Sequence, residues 1–240
     1  MKRPPRAPAK SRMARSVPGA AAAHAASVRD VATRERLVQA AAARFAEHGF
    51  NNVSVRDICR DAGANVAAVN YHFGDKLGLY REVVSEAIAA MTATSGSAMM
   101  APDDAPPEAR IRHYVRVYLP RIAGRDATAG DARVGWIHKL MRHESSEPTP
   151  LAPWIAEQAI LPRVEYLSRV VAELLACDVA DPRVRRCVIS IQAQCLFYAP
   201  DKFRDAAFPG WPPSGAELAA AAEHIVEFSL AGIGRIADHP

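Results

Sequence analysis

Apolar residues recur at helical spacing along most of the chain, and no stretch sustains the period-two alternation of a half-buried strand. The pattern predicts helices over residues 33–48, 55–62 and 66–73, a fourth from 75 onward, and more over 108–122, 131–143, 153–176, 182–199 and 214–237. In the first, Leu37, Ala40, Ala41 and Phe45 share an inner face, and Gly49 ends the run. In the second, Val55, Ile58, Cys59 and Ala62 fall at i, i+3, i+4 and i+7, leaving Arg56, Asp57 and Arg60 outside the stripe. The fourth carries Leu79, Tyr80, Val83, Val84, Ala87, Ile88 and Met91 as one long stripe, the expected mechanical connection to the helices beyond it. Over 92–107 the composition turns to Ser, Gly, Ala, Asp and Pro, which places an interdomain hinge there. Pro162 is expected to kink or divide its helix. The fold class is therefore all-α, with a smaller helical unit over 29–78 and a larger one over 79–240.

Residues 54–76, SVRDICRDAGANVAAVNYHFGDK, hold two short helices at an angle. Ser54 and Asp57 are spaced as a reciprocal helix cap, Gly63 stops the first helix, Asn65 suits the N-cap of the second, and Gly74 with Asp75 ends it and caps the next. At about 100° per residue, Val69 and Phe73 point to the core. The opposite arc carries Ala67, Ala68 and Tyr71, with Asn70 and His72 on the flanks. Two alanines let the backbone approach another surface, and Asn70 and Tyr71 offer hydrogen bonds beside them. A helix-turn-helix presents its second helix to the DNA major groove in this way. An ordinary helical hairpin inside a core has the same spacing.

The stretches RERLVQAAAARFAEHGF, SVRDICRDAGANVAAVNYHFGDK and LGLYREVV, within residues 34–84, resemble the DNA-binding domain of TetR-type bacterial transcription regulators. The AG turn, the HF-G-x-K end of the second short helix and Phe45 are in register. The resemblance implies DNA contacts from Ser54, Arg56, Asn65, Val66, Ala67, Ala68, Asn70, Tyr71, His72 and Lys76, the last to a phosphate. Two positions depart from the family pattern. The frequent aromatic at position 70 is replaced by Asn70, and Gly78 stands where a better helix former is usual, at a cost of ~1 kcal/mol.

Charge distribution supports a polyanionic partner at one end. Residues 1–80 carry 13 Lys and Arg against 6 Asp and Glu, whereas the other 160 carry 17 against 20. Residues 1–28 include Lys2, Arg3, Arg6, Lys10, Arg12 and Arg15 with no acid and read as a disordered basic arm. It could follow a DNA backbone or simply be a solvated tail. Its resemblance to an organelle transit peptide conflicts with the bacterial-type motif behind it, and Met13 is an alternative start. No apolar run approaches the ~20 residues of a membrane span. Cys59, Cys177, Cys187 and Cys195 show no paired spacing and read as reduced core thiols, so a cytoplasmic location is expected. His138, His143 and Glu144 do not share a helix face, and no nucleophile, base and orienting group coincide, so neither metal, cofactor nor enzyme activity is expected.

In the larger unit, Tyr114, Tyr118, Trp136, Met141, Trp154, Tyr166, Gln192, Gln194, Phe197 and Tyr198 could line a mostly apolar pocket or be plain core. HKLMRHESSEPTP, ILPRVEYLSRVVAELL and SIQAQCLFY are similar to the C-terminal domain of the CerR or CecR subgroup of TetR-type regulators, which implies a small-molecule effector pocket among these helices. The last two helices are apolar around much of their circumference. Val188, Ile191, Cys195, Ile225, Ser229, Gly232, Ile233 and Ile236 are the candidate homodimer interface, the alternative being burial in their own domain. The sequence thus reads as a homodimeric, effector-released repressor of a palindromic operator, with an activator or a ligand-independent DNA binder as alternatives.

Overall fold

A computed structural model describes residues 20–124 and 132–238. The chain is all-α: α1 Ala20–His48, α2 Val55–Ala62, α3 Val66–Phe73, α4 Lys76–Met99, α5 Pro107–Ile122, α6 Ala132–Ser146, α7 Ala152–Ala159, α8 Leu161–Leu174, α9 Pro182–Leu196, α10 Lys202–Ala207 and α11 Gly215–Ala237.

Two boundaries differ from the sequence reading. Helix α1 begins at Ala20 rather than near residue 33, so 20–28 is helix and not arm. The alanines at 20–23 have the best helix propensity, and no proline follows Pro18 in this stretch. The rest of the expected arm lies outside the described residues. The hinge is also displaced. Helix α4 continues through 92–97 to Met99, and the break is confined to 100–106. Thr, Ser and Gly each weaken a helix by at most ~1 kcal/mol, whereas Pro102, Pro106 and Pro107 cannot continue one. The loop is tied down by the Ala101 amide, which donates to the Tyr166 hydroxyl at 3.2 Å. Pro162 divides its stretch into α7 and α8 at Ile160, as the pattern anticipates. The six-residue α10 is too short for a periodic signal; Asp201 caps it by accepting from the Phe203 and Arg204 amides.

Two cores result. The first joins Leu37, Phe45, Ile58, Val69, Leu79, Tyr80 and Val83 of α1–α4 with Leu140 of α6 and Ile155 of α7. The second joins Ile111, Tyr114, Leu119, Leu167, Val170, Val188, Ile191, Ile225 and Val226 of α5, α8, α9 and α11. Met99, at the end of α4, is buried in the second core, so this one helix enters both. Salt bridges on the outer side, Arg112 to Glu223 and Glu227 at 2.6 Å each, hold α5 against α11. The four cysteines are free. Burial raises the thiols of Cys59, Cys187 and Cys195, the last to about 12, so they remain protonated core groups.

Gly78 is not a weak point of α4. A Cβ there would stand 2.0 Å from the Phe73 carbonyl oxygen, because α4 starts directly beneath the end of α3. Gly78→Ala is expected to lower stability by about 1–3 kcal/mol through this overpacking, instead of gaining the helix-propensity increment. Thermal denaturation distinguishes the two signs.

Candidate nucleic-acid interface and effector region

Local chemistry fixes the α2–α3 pair. The Ser54 hydroxyl accepts from the Asp57 amide at 3.2 Å and donates to the Asp57 carboxylate at 2.6 Å, closing the cap through the side chain rather than through the Ser54 amide. That hydrogen bond, and after it Arg60, holds the Asp57 carboxyl below its ordinary range. Gly63 takes a left-handed φ of 59°, so the chain turns sharply, with the Ala64 amide bonded to the Cys59 carbonyl. The Asn65 side-chain oxygen accepts from the Ala68 amide at 2.9 Å. Inward, Val69 is fully buried and Phe73 packs on the first core.

Outward, α3 presents Val66, Ala67, Asn70 and Tyr71; Tyr71 is 77% exposed. Two expected members of this face are turned aside. Ala68 is half-buried against the first core, where α2 crosses α3. The His72 side chain is 8% exposed and lies 3.5 Å from Asp30 of α1, between the rings of Tyr71 and Phe73. His72 thus contacts the Tyr71 ring as well as Asp30, which lies in the unexpected N-terminal extension of α1. Arg56 is exposed on α2. Lys76 is half-buried, with its ammonium 4.2 Å from the centre of the Phe50 ring, and desolvation lowers its pKa.

The expected effector residues separate into three places. Tyr114, Tyr118 and Tyr166 are buried together in the second core, with ring centroids 5.2 and 6.3 Å apart, and Gln192 donates to the Tyr114 hydroxyl at 2.8 Å. Phe197 and Tyr198 instead join Trp211 beyond the end of α9, with Phe208 beside Phe197. Trp136, Met141 and Trp154 pack on the first core, and Arg81 of α4 lies over the Trp154 ring at 5.0 Å. Helical periodicity shows that a side chain is inward, not which core receives it.

A buried group that sequence reasoning missed secures α6 to α4. Glu144 accepts from the Tyr80 hydroxyl at 2.7 Å, the Thr149 hydroxyl at 2.9 Å and the Thr149 amide at 3.0 Å. Burial, then the hydrogen bond to Glu144, raises the Tyr80 pKa, so the phenol remains a donor. Nearby, Asn51 donates to Glu147 at 3.1 Å. Tyr80→Phe removes one donor from a buried carboxylate and is expected to cost about 1–3 kcal/mol in urea unfolding. A change below about 0.5 kcal/mol would leave the network without structural weight.

The expected dimer residues are mostly committed to their own chain. Val188, Ile191, Cys195, Ile225, Ser229 and Ile233 are all under 8% exposed in the second core or at its edge. Gln194, expected in the pocket region, donates to Ser229 at 3.2 Å. The same helices expose Ile189 (58%), Leu196 (47%), Phe228 (65%) and Ile236 (36%), with Gly232 between the last two. The periodic pattern does not show which side of these helices faces water, because α9 and α11 carry apolar residues on both sides.

A capped three-helix head with an exposed second reading helix, joined through one long helix to a larger helical core, defines a helix-turn-helix regulator. Comparison with known proteins agrees. Residues 37–83 match the family described as bacterial regulatory proteins, tetR family, and residues 107–233 match the C-terminal domain of the HTH-type transcriptional dual regulator CecR. The chain belongs to the TetR family of transcriptional regulators and carries a CecR-type C-terminal domain. It is 28% identical over 169 residues to the HTH-type transcriptional dual regulator CecR of Shigella flexneri, covering 67% of this chain and 72% of that one. It is 39% identical over 56 residues to the probable HTH-type transcriptional regulator YttP of Bacillus subtilis (strain 168), covering 23% and 27%. Among solved structures, a putative TetR-family regulator from Mesorhizobium loti shares the fold at a TM-score of 0.51 with 20% identity, over 85% of this chain and 98% of that one. The hemolysin II transcriptional regulator HlyIIR does so at 0.50 with 18% identity, over 83% and 97%. Among the described residues, no helix is long and apolar enough to cross a membrane.

Proposed function

We propose that the protein is a homodimeric repressor that binds a palindromic operator and is released by a small-molecule effector. The exposure of Val66, Ala67, Asn70 and Tyr71 on an otherwise packed head carries this reading. Small residues let the α3 backbone enter the major groove, Asn70 and Tyr71 supply hydrogen bonds, and Arg56 and Lys76 supply positive charge for phosphates. Phe228 and Ile236 of α11 form the face offered to a second copy, which would set the two heads about one DNA turn apart, ~34–36 Å, or a multiple of it. The effector side rests on the polar groups buried in the second core and on α4, which enters both cores. An effector must bind the DNA-free form better by the coupling energy, typically ~1–3 kcal/mol, and operator DNA must weaken effector binding by the same factor. Activation at some promoters is a second reading, favoured by the description of the Shigella flexneri relative as a dual regulator.

The test is selection of bound duplexes from a random-sequence DNA library, followed by sequencing. One enriched inverted repeat is expected; a pool without a shared motif would overturn the specific-regulator reading.

A further inference from the structure

Between α8 and α9 runs a groove of about 380 Å³, within the ~300–1,000 Å³ range of small-ligand sites. Its walls are aliphatic, with Val164, Val179, Val188 and Leu196 among them, and no aromatic ring of the described residues lines it. Its polar groups are one-sided: Arg163, Arg185, Gln192 and Ser168 face it, and none of the described carboxylates does. Neither guanidinium is paired with a carboxylate among the described residues. The Arg163 guanidinium lies 5.2 Å from the centre of the Tyr118 ring, and its Nε is buried without a hydrogen-bond partner among the described residues. The hydroxyl of Tyr118, a residue only 3% exposed, also lacks a partner among the described residues. Gln192 leads from the groove to the Tyr114 hydroxyl. Buried polar atoms of this kind are rare in proteins, and two of them occur here on adjacent side chains beside a groove that two arginines line.

We propose that the α8–α9 groove binds a small anionic amphiphile: a carboxylate on Arg163 and Arg185, with an aliphatic body along Val164, Val179, Val188 and Leu196. Arginine recognises carboxylates through paired, charge-assisted hydrogen bonds, while the valines and Leu196 offer only apolar surface to the body. This deepens the effector reading above and rests on it. Trp136 and Trp154 pack on the other core and take no part in this groove.

The test is titration calorimetry of the full chain with decanoate, decan-1-ol and decylamine, each below its self-association range. Decanoate is expected to bind at least tenfold more tightly than either other probe. Arg163→Gln should weaken decanoate tenfold or more and leave decan-1-ol unchanged; Arg185→Gln, at an exposed position, should weaken decanoate with no risk to folding. Equal affinity for all three probes, no binding of decanoate, or parental decanoate affinity in both variants would overturn the proposal. The effector reading is judged separately, on the selected operator. If decanoate binds with the expected charge selectivity but does not weaken operator binding, the site stands and its effector role fails. If decanoate does not bind but the operator does, the regulator stands and the site fails.

Discussion

Ala67→Glu is expected to abolish operator binding, with a loss of at least about a hundredfold in affinity, while leaving the fold intact. Ala67 is exposed on α3 and its methyl supports nothing in the core, so stability should move by no more than about 0.5 kcal/mol. The new carboxylate would meet the DNA surface, where it faces phosphate repulsion and loses its hydration without gaining a donor. Tyr71→Ala should act through the opposite change, deleting a projecting ring that is 77% exposed and in contact with His72. A good base contact is worth about 1–3 kcal/mol, or roughly 5- to 150-fold, so its effect should be smaller than that of Ala67→Glu. Fluorescence anisotropy on the selected operator, paired with thermal melting, separates lost contact from lost fold. Parental affinity in Ala67→Glu would mean that α3 does not enter the groove by this face.

Phe228→Arg is expected to yield folded monomers, and Ile233→Asp to yield unfolded chains. The two residues lie on the same helix but face opposite ways: Phe228 is 65% exposed and Ile233 is 4% exposed in the second core. An arginine at 228 keeps its charge in water in the monomer and loses that water only if a second copy covers it, so the cost falls on association. An aspartate at 233 loses the buried side chain's contribution, about 2–5 kcal/mol, and adds an unpaired carboxylate in an apolar site. Together these approach the whole stability of a domain. Light scattering and circular dichroism provide the readout. A Phe228→Arg protein that remains a tight dimer would move the interface off this face.

What the sequence made legible was local. Caps at Ser54, Asn65 and Asp75 and stops at Gly63 and Gly74 act within one helical turn, and the structure forms each of them. The inward stripe of α2 and the outward placement of Ala67, Asn70 and Tyr71 follow from periodicity alone. What remained hidden depends on partners distant in the chain. Trp136, Met141 and Trp154 have the spacing of buried residues, but nothing local says that α6 and α7 dock on the head. Tyr80 and Glu144 lie 64 residues apart, and their contact has no spacing signature. Ile189 and Ile191 look alike in sequence; only the position of α5 and α11 decides which one faces water. Gly78 shows the same limit, since propensity marks it as a defect and the nearby Phe73 carbonyl makes it a requirement.

The division between the two cores places a joint at an unexpected point. Helix α7 contributes Ile155 to the first core and α8 contributes Leu167 and Val170 to the second, so the seam between head and body crosses the chain at Ile160 as well as at 100–106. Tyr80 and Thr149 both bond to Glu144, which ties the end of α6 to α4 and groups α6 and α7 with the core of the head. Ile160 also lines the groove between α8 and α9. An occupant of that groove would therefore touch the junction between the two cores directly. A rotation at Ile160 would shift the head, and α3 with it, relative to the second core. A molecule small enough for the groove could thus spoil the match to successive major grooves without approaching the DNA.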